Sequence, residues 1–308
     1  MKKLIASLFF LSILLIFCSC HNSIDLDANG IPGKLVIAHY GTDDPGALKS
    51  AAKPFQQYLQ KKLGMPVEFI YTNDYTSVIE ALKTKKTHIA YLSPFSYVLA
   101  SQKHDITPII TTGENGKQSM YHSTIFTNTH SGINSIADLK AKAKYITLCF
   151  ADPASTSGHL IPRAYLTTVG LNPDKNAFKE TIFAGSHVTS VLSVASGKID
   201  VGCAATEYGL EIAERKGLVK KDQIRVLWQS QPIVGSPIVA RNDLNKEFVK
   251  KIQNLYLNLA KDEPGIFLTY MKLLHTKPEN YSYMTVQDSM YNGIRSIASG
   301  IKDLSVIK

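Results

Sequence analysis

Residues 150–168 read FADPASTSGHLIPRAYLTT, and the order of residue types in them decides how this chain is built. The stretch closes an apolar run, YITLCF (145–150), which reads as a buried strand. It then passes three successive hydroxyl residues, Ser155, Thr156 and Ser157, and enters GHLIPRAYLTTVG (158–170), an apolar-periodic helix closed by Gly170. The first amides of a helix have no partner within it, and the macrodipole is positive there. Such a position can therefore hold an anion without any formal charge. Gly158 permits close approach of backbone or ligand. The same hydroxyls also suit an ordinary N-cap, so the segment by itself supports both readings.

Working outward, the same strand-to-helix passage recurs. FKETIFAG (178–185) is a strand, Ser186-His187 opens the helix HVTSVLSVASG (187–197), and KIDVGCAA (198–205) is another strand. Ligands of α/β sheets bind beyond the carboxyl ends of strands. His187 stands at that edge, where it could donate a hydrogen bond and where a neighbouring anion would favour the imidazolium. Upstream, KLVIAHY (34–40), 66–71 and HIAYLS (88–93) read as strands, with helices over 47–63, Tyr75–Lys83 and Phe95–Ser101. HSTIFTN (122–128) leads into the second alternation. IRVLWQS and SPIVARNDL lead out of it into largely helical segments, including 246–261 and 286–298. Two β/α series with a C-terminal return predict two lobes, each a mostly parallel sheet flanked by helices, with a cleft between them. The expected division is 34–120 with 231–308 as lobe 1, and 121–230 as lobe 2.

Composition agrees with a globular protein: 308 residues, 44% hydrophobic and 19% charged. A net charge of +9 comes from dispersed Lys and Arg rather than a basic groove, so no nucleic-acid partner is expected. Lys2-Lys3 followed by LIASLFFLSILLIF (4–17) suits a secretory leader and is short for a membrane span. Ser19-Cys20 at its end resembles a lipobox. Residues 1–19 then form a lipoprotein signal, Cys20 carries the lipid, 20–33 is a tether, and the body faces the periplasm or cell exterior. Cys149 and Cys203 sit in apolar strands and read as buried thiols, with a disulfide left open.

FADPASTSGHLIPRAYL (150–166), AGSHVTSVLSVASGKIDVG (184–202) and SPIVAR (236–241) together resemble the phosphate/phosphite/phosphonate-binding proteins of ABC importers. DYTSVIEALKTKKTHIAYLSPFSYV (74–98) and YHSTIFTNTHSGINSIADL (121–139) extend the resemblance, which spans roughly Lys34 to Arg241 in matching order. It implies a type II periplasmic-binding-protein fold whose Ser155, Thr156 and Ser157 bind phosphonate oxygens, assisted by His187, Tyr75 and Tyr121. It also implies a ligand role for the acidic Glu207, a cleft wall at Ser93 and Phe95, and no cofactor. Where aminoalkylphosphonate binders carry another acid before the Pro-Ile-Val run, this chain has Ser236, which argues against 2-aminoethylphosphonate. The expected function is a monomeric, lipid-anchored solute receptor delivering a phosphorus oxyanion to a permease and its ATPase. Two rivals are an oxyanion sensor signalling to a histidine kinase and an enzyme using Ser157, His187 and Glu207 as a triad. The enzyme reading finds no G-x-S-x-G elbow, metal-ligand cluster or Walker pattern to support it.

Overall fold

The computed structural model describes residues 25–40, 45–72, 74–273, 275 and 277–301. The expected leader and Cys20 lie outside these residues. Among the described residues no helix is long and apolar enough to cross a membrane.

Two sheets organise the chain. The first runs in the order Tyr281–Met284, Ile106–Glu114, Pro237–Arg241, Ile89–Tyr91, Leu35–His39, Val67–Tyr71. Leu35–His39 is parallel to both Val67–Tyr71 and Ile89–Tyr91. All five of its residues are buried, as expected of a strand covered on both faces. The second sheet runs Ile224–Gln229, Ser123–Asn128, Val201–Ala205, Thr147–Phe150, Glu180–Phe183, the last three mutually parallel.

In each sheet the strand arriving from the other half runs against the parallel set. Ser123–Asn128 is antiparallel to Val201–Ala205, and Pro237–Arg241 is antiparallel to Ile89–Tyr91. Parallel strands end at the cleft, so a strand that enters from the cleft side must begin there and run the opposite way. The two crossings are tied into a short ribbon in which Tyr121 pairs with Ile233 and Met120 with Val234.

Local chemistry sets the helix starts that face the cleft. Asp74 caps helix Tyr75–Lys83 by accepting from the Ser77 amide at 2.7 Å. Ser93 caps Pro94–Ser101 in the same way, and Ser186 caps His187–Ala195. The stretch expected as one helix over 246–261 divides at Asn258 into Lys246–Leu257 and Leu259–Asp262. Two strands that the apolar pattern did not indicate, Ile106–Glu114 and Tyr281–Met284, widen the first sheet. Both interleave Thr, Ser or Tyr with apolar residues, which blurs the alternation.

Cys149 and Cys203 are buried free thiols, and burial pushes the Cys203 thiol well up. Beside Cys203, Gly202 lets helix His187–Ala195 press onto the sheet. A Cβ there would stand 2.7 Å from Phe126 Cζ and 2.9 Å from Ser190 Oγ. Gly202→Ala is expected to cost about 1–3 kcal/mol of stability through overpacking, read as a lower midpoint in urea denaturation. An unchanged midpoint would mean that this contact is not tight.

Candidate functional site

Between the two halves lies a cavity of about 130 Å3. Ser155, Thr156, Ser157 and His187 of the second half line it, together with Tyr75, Ser93 and Ser236 of the first and Tyr121 of the connecting ribbon.

His187 is held in one orientation and one tautomer. The Ala205 amide donates to its Nδ1 at 3.1 Å. Because a backbone N–H can only donate, Nδ1 must be unprotonated, and the single ring proton sits on Nε2. That Nε2–H donates to the Tyr75 hydroxyl, 3.1 Å away across the cleft. The Tyr75 hydroxyl hydrogen is thereby left to point elsewhere. Burial lowers the His187 pKa from 6.5 to about 4, so the ring is a neutral donor at pH 7. The imidazolium expected beside an anion would need a second ring proton that displaces the Ala205 amide inside a buried site.

Two glycines make the slot for this ring. A Cβ on Gly158 would stand 2.9 Å from His187 Cε1 and 2.4 Å from Ala151 Cβ, while one on Gly209 would stand 2.9 Å from His187 Cβ. Both glycines lie in single π-helical turns, Thr156–Leu160 and Thr206–Leu210, that open the helices following adjacent parallel and cleft-directed strands. Ser155 Oγ accepts from the Gly158 amide at 3.0 Å, so Ser155 is an N-cap and still keeps its hydroxyl proton to donate. The two readings of the triplet are thus compatible. Burial raises the phenol pKa values of Tyr75 and Tyr121, and both residues line the same cavity as the hydroxyl triplet. The two phenols and the triplet therefore converge.

The halves are also fastened directly. The Phe95 amide donates to Thr156 Oγ1 at 2.8 Å, and the Ser96 and Ser93 hydroxyls donate to the Ala154 carbonyl at 2.8 and 3.2 Å.

Two expected site residues do not line the cavity. The Phe95 ring is fully buried in the core of the first half, because an apolar ring at the first turn of a helix packs under its own sheet. Only its backbone serves the site, through Thr156. Glu207 turns to His122 instead: its carboxylate accepts from the His122 amide at 2.8 Å and meets Nδ1 at 2.7 Å. Its two oxygens are thereby occupied at the ribbon, and His187 receives a backbone amide where a triad would need a carboxylate. Ser157, His187 and Glu207 therefore do not form a triad.

Tyr40, Tyr208 and His39 line the cavity without having been anticipated. Tyr40 stacks on Tyr75 with centroids 4.7 Å apart, and its hydroxyl lies 3.4 Å from Ser236 Oγ. Tyr40 lay in plain sight at the end of the first strand, yet nothing in the residues beside it distinguished it from the other tyrosines.

No Asp, Glu, Lys or Arg among the described residues lines this cavity. Its histidines are neutral as well, since burial brings His39, His187 and His275 each to about 4. Unfolded imidazoles titrate near 6.5, so between pH 6.5 and 4 the unfolded chain binds more protons than the folded one. Stability is complete above about 6.5 and declines as pH falls toward 4. Denaturation midpoints measured across this window are expected to fall with pH, with a shallower slope for His187→Asn. A flat profile in the parent chain would show these rings to be protonated or solvated.

The family of periplasmic substrate-binding proteins of ABC phosphonate transporters matches residues 37–271. The phosphonates-binding periplasmic protein of Escherichia coli is 33% identical over 220 residues, covering 71% of this chain and 64% of that one. The phosphate-import protein of Mycolicibacterium smegmatis is 28% identical over 281 residues, covering 88% and 86%. In structure, the binding component of an ABC phosphonate transporter from Pseudomonas aeruginosa superposes with a TM-score of 0.75 at 27% identity, covering 86% of this chain and 85% of that one. Members of this family are substrate-binding transport proteins rather than enzymes. With its paired sheets, crossing ribbon and matched residues, this chain belongs to the phosphonate-binding periplasmic proteins of ABC transporters.

Proposed function

We propose that this protein captures a phosphorus oxyanion (a phosphonate, phosphite or phosphate) between its halves and presents it to an ABC permease and its ATPase. One observation carries the reading. Every residue named for the ligand from sequence, except Phe95 and Glu207, lines a single cavity with no formally charged side chain among the described residues.

The chemistry suits a tetrahedral anion. Ser155, Thr156 and Ser157 contribute hydroxyls at the start of a helix, Tyr75 and Tyr121 contribute phenols, and His187 contributes its Nε2–H. Hydrogen bonds from neutral donors to an ionised oxygen are stronger than neutral pairs, and a preset ring of them can replace hydration without a paired cation. Ser93 has a different part, joining the halves at the rim of the cavity. Segments 34–120 with 231–308, and 121–230, are then the two lobes, closing about the Tyr121–Ile233 ribbon. The lipid on Cys20 would hold the body at the membrane through the residues that follow it. Of the expected tether, the part from Leu26 to Pro32 packs on the first half instead, with Leu26 and Ile31 against its core and the Gly30 carbonyl accepting from the Asn245 amide at 2.9 Å. One copy suffices because a single chain completes the cavity.

Each donor to the ionised ligand contributes roughly 1.5–3 kcal/mol, so His187→Ala or Ser155→Ala is expected to weaken methylphosphonate or phosphate at least tenfold in calorimetry. Unchanged affinity in both variants would place the ligand elsewhere. For the anchor, the full chain expressed with radiolabelled palmitate is expected to incorporate label and fractionate with membranes. Cys20→Ala should do neither; retained label in that variant would rule out Cys20 as the lipid site.

A further inference from the structure

The cavity exceeds the needs of a bare oxyanion. Its 130 Å3 compares with the roughly 10–15 Å3 that one water requires, so a tetrahedral group at Ser155–Ser157 and His187 does not fill it. The remainder reaches into the first half beneath its sheet. There it is bounded by Leu48 of helix Pro45–Leu63, Tyr91 and Ile238 of neighbouring strands, Tyr270 and Met271 of helix Pro264–Met271, and Tyr283. The walls of this annex are almost wholly buried, with Leu48 2% and Met271 1% exposed.

Several of its polar groups and rings already have partners. The Tyr91 and Tyr283 hydroxyls lie 3.4 Å apart. His39 stacks on Tyr91 with centroids at 4.5 Å and spends its Nδ1–H on the Tyr40 carbonyl at 3.0 Å. His275 stacks on Tyr281 at 3.5 Å. No charged side chain among the described residues faces the space. A carboxylate placed there would lose its hydration with no cation among the described residues to pair with it, and an ammonium would meet only aromatic faces and no described carboxylate. A hydrocarbon or aryl group would instead gain burial against aromatic faces and an adaptable thioether.

We infer that this annex is a second subsite, which takes the uncharged apolar substituent of an organophosphonate whose head group occupies the hydroxyl cradle. The inference rests on the oxyanion reading above. It makes the ligand class alkyl- or arylphosphonates rather than inorganic phosphate or zwitterionic aminophosphonates.

Calorimetry on the full chain with inorganic phosphate, methylphosphonate, phenylphosphonate, 2-aminoethylphosphonate and phosphonoacetate separates the two claims. The expected result is phenylphosphonate binding at least tenfold tighter than methylphosphonate, with the aminoethyl and carboxymethyl compounds weaker than methyl. If phosphate and methylphosphonate bind but phenylphosphonate gains nothing, or the aminoethyl compound binds tightest, the annex assignment is overturned while the oxyanion reading stands. If none of the five binds, the oxyanion reading fails and takes the annex with it. Met271→Trp, which fills the annex, should bring the phenyl-to-methyl affinity ratio toward one. A folded variant with an unchanged ratio counts against the subsite, and should the variant not fold, the parent panel decides.

Discussion

The amide of Ala205 and the Nδ1 of His187 form the contact on which the cleft depends. An anion held without a formal positive charge needs dipoles aimed before it arrives, since reorienting them afterwards would consume the energy gained. Here the aim is set by a strand end: the last residue of Val201–Ala205 donates to the ring and thereby forces the remaining proton onto the nitrogen facing Tyr75. Gly158 and Gly209 matter for the same reason, because each leaves the volume into which the ring fits. The neutrality of the histidine follows from its fixation. A ring that accepts a buried amide cannot also be a cation.

The two halves meet through many modest contacts instead of one strong one. Hydroxyl and amide donors at 93–96 reach the 154–156 loop, and Tyr75 reaches His187. At the ribbon, Glu207 grips both the amide and the ring of His122, which ties the second half to the segment that carries the chain across. The helix start bearing Glu207 thus serves the junction, while its neighbour Gly209 serves the ring. Hydrogen bonds of this kind contribute about 1 kcal/mol each, a scale suited to contacts that form and part with a ligand.

Most of the architecture could be read before any coordinates. Strand ends at 150 and 205, helix starts at 75 and 187, and the hydroxyl triplet all follow from short-range rules: apolar runs, capping side chains and glycine. The strands at 106–114 and 281–284 escaped those rules because threonine, serine and tyrosine interrupt their apolar runs, and their membership in the sheet is settled by partners far along the chain. The site divides in the same way. Ser155, Thr156, Ser157 and His187 carry local signatures. Glu207 and Phe95 had the right residue types at sensible positions, and failed because each found a stronger partner elsewhere.

Local sequence therefore determined which residues could donate to an anion and roughly where the chain would turn to present them. Tertiary structure alone decided which nitrogen of His187 keeps its proton, that Glu207 faces His122 across a separation of 85 residues, and that an aromatic chamber adjoins the hydroxyls. The reason is physical. A capping serine or a helix-forming run is stabilised by atoms a few residues away. A tautomer, a carboxylate's partner and the shape of a cavity are set by whichever groups folding brings against them, and in this chain those groups come from strands and helices on both sides of the cleft.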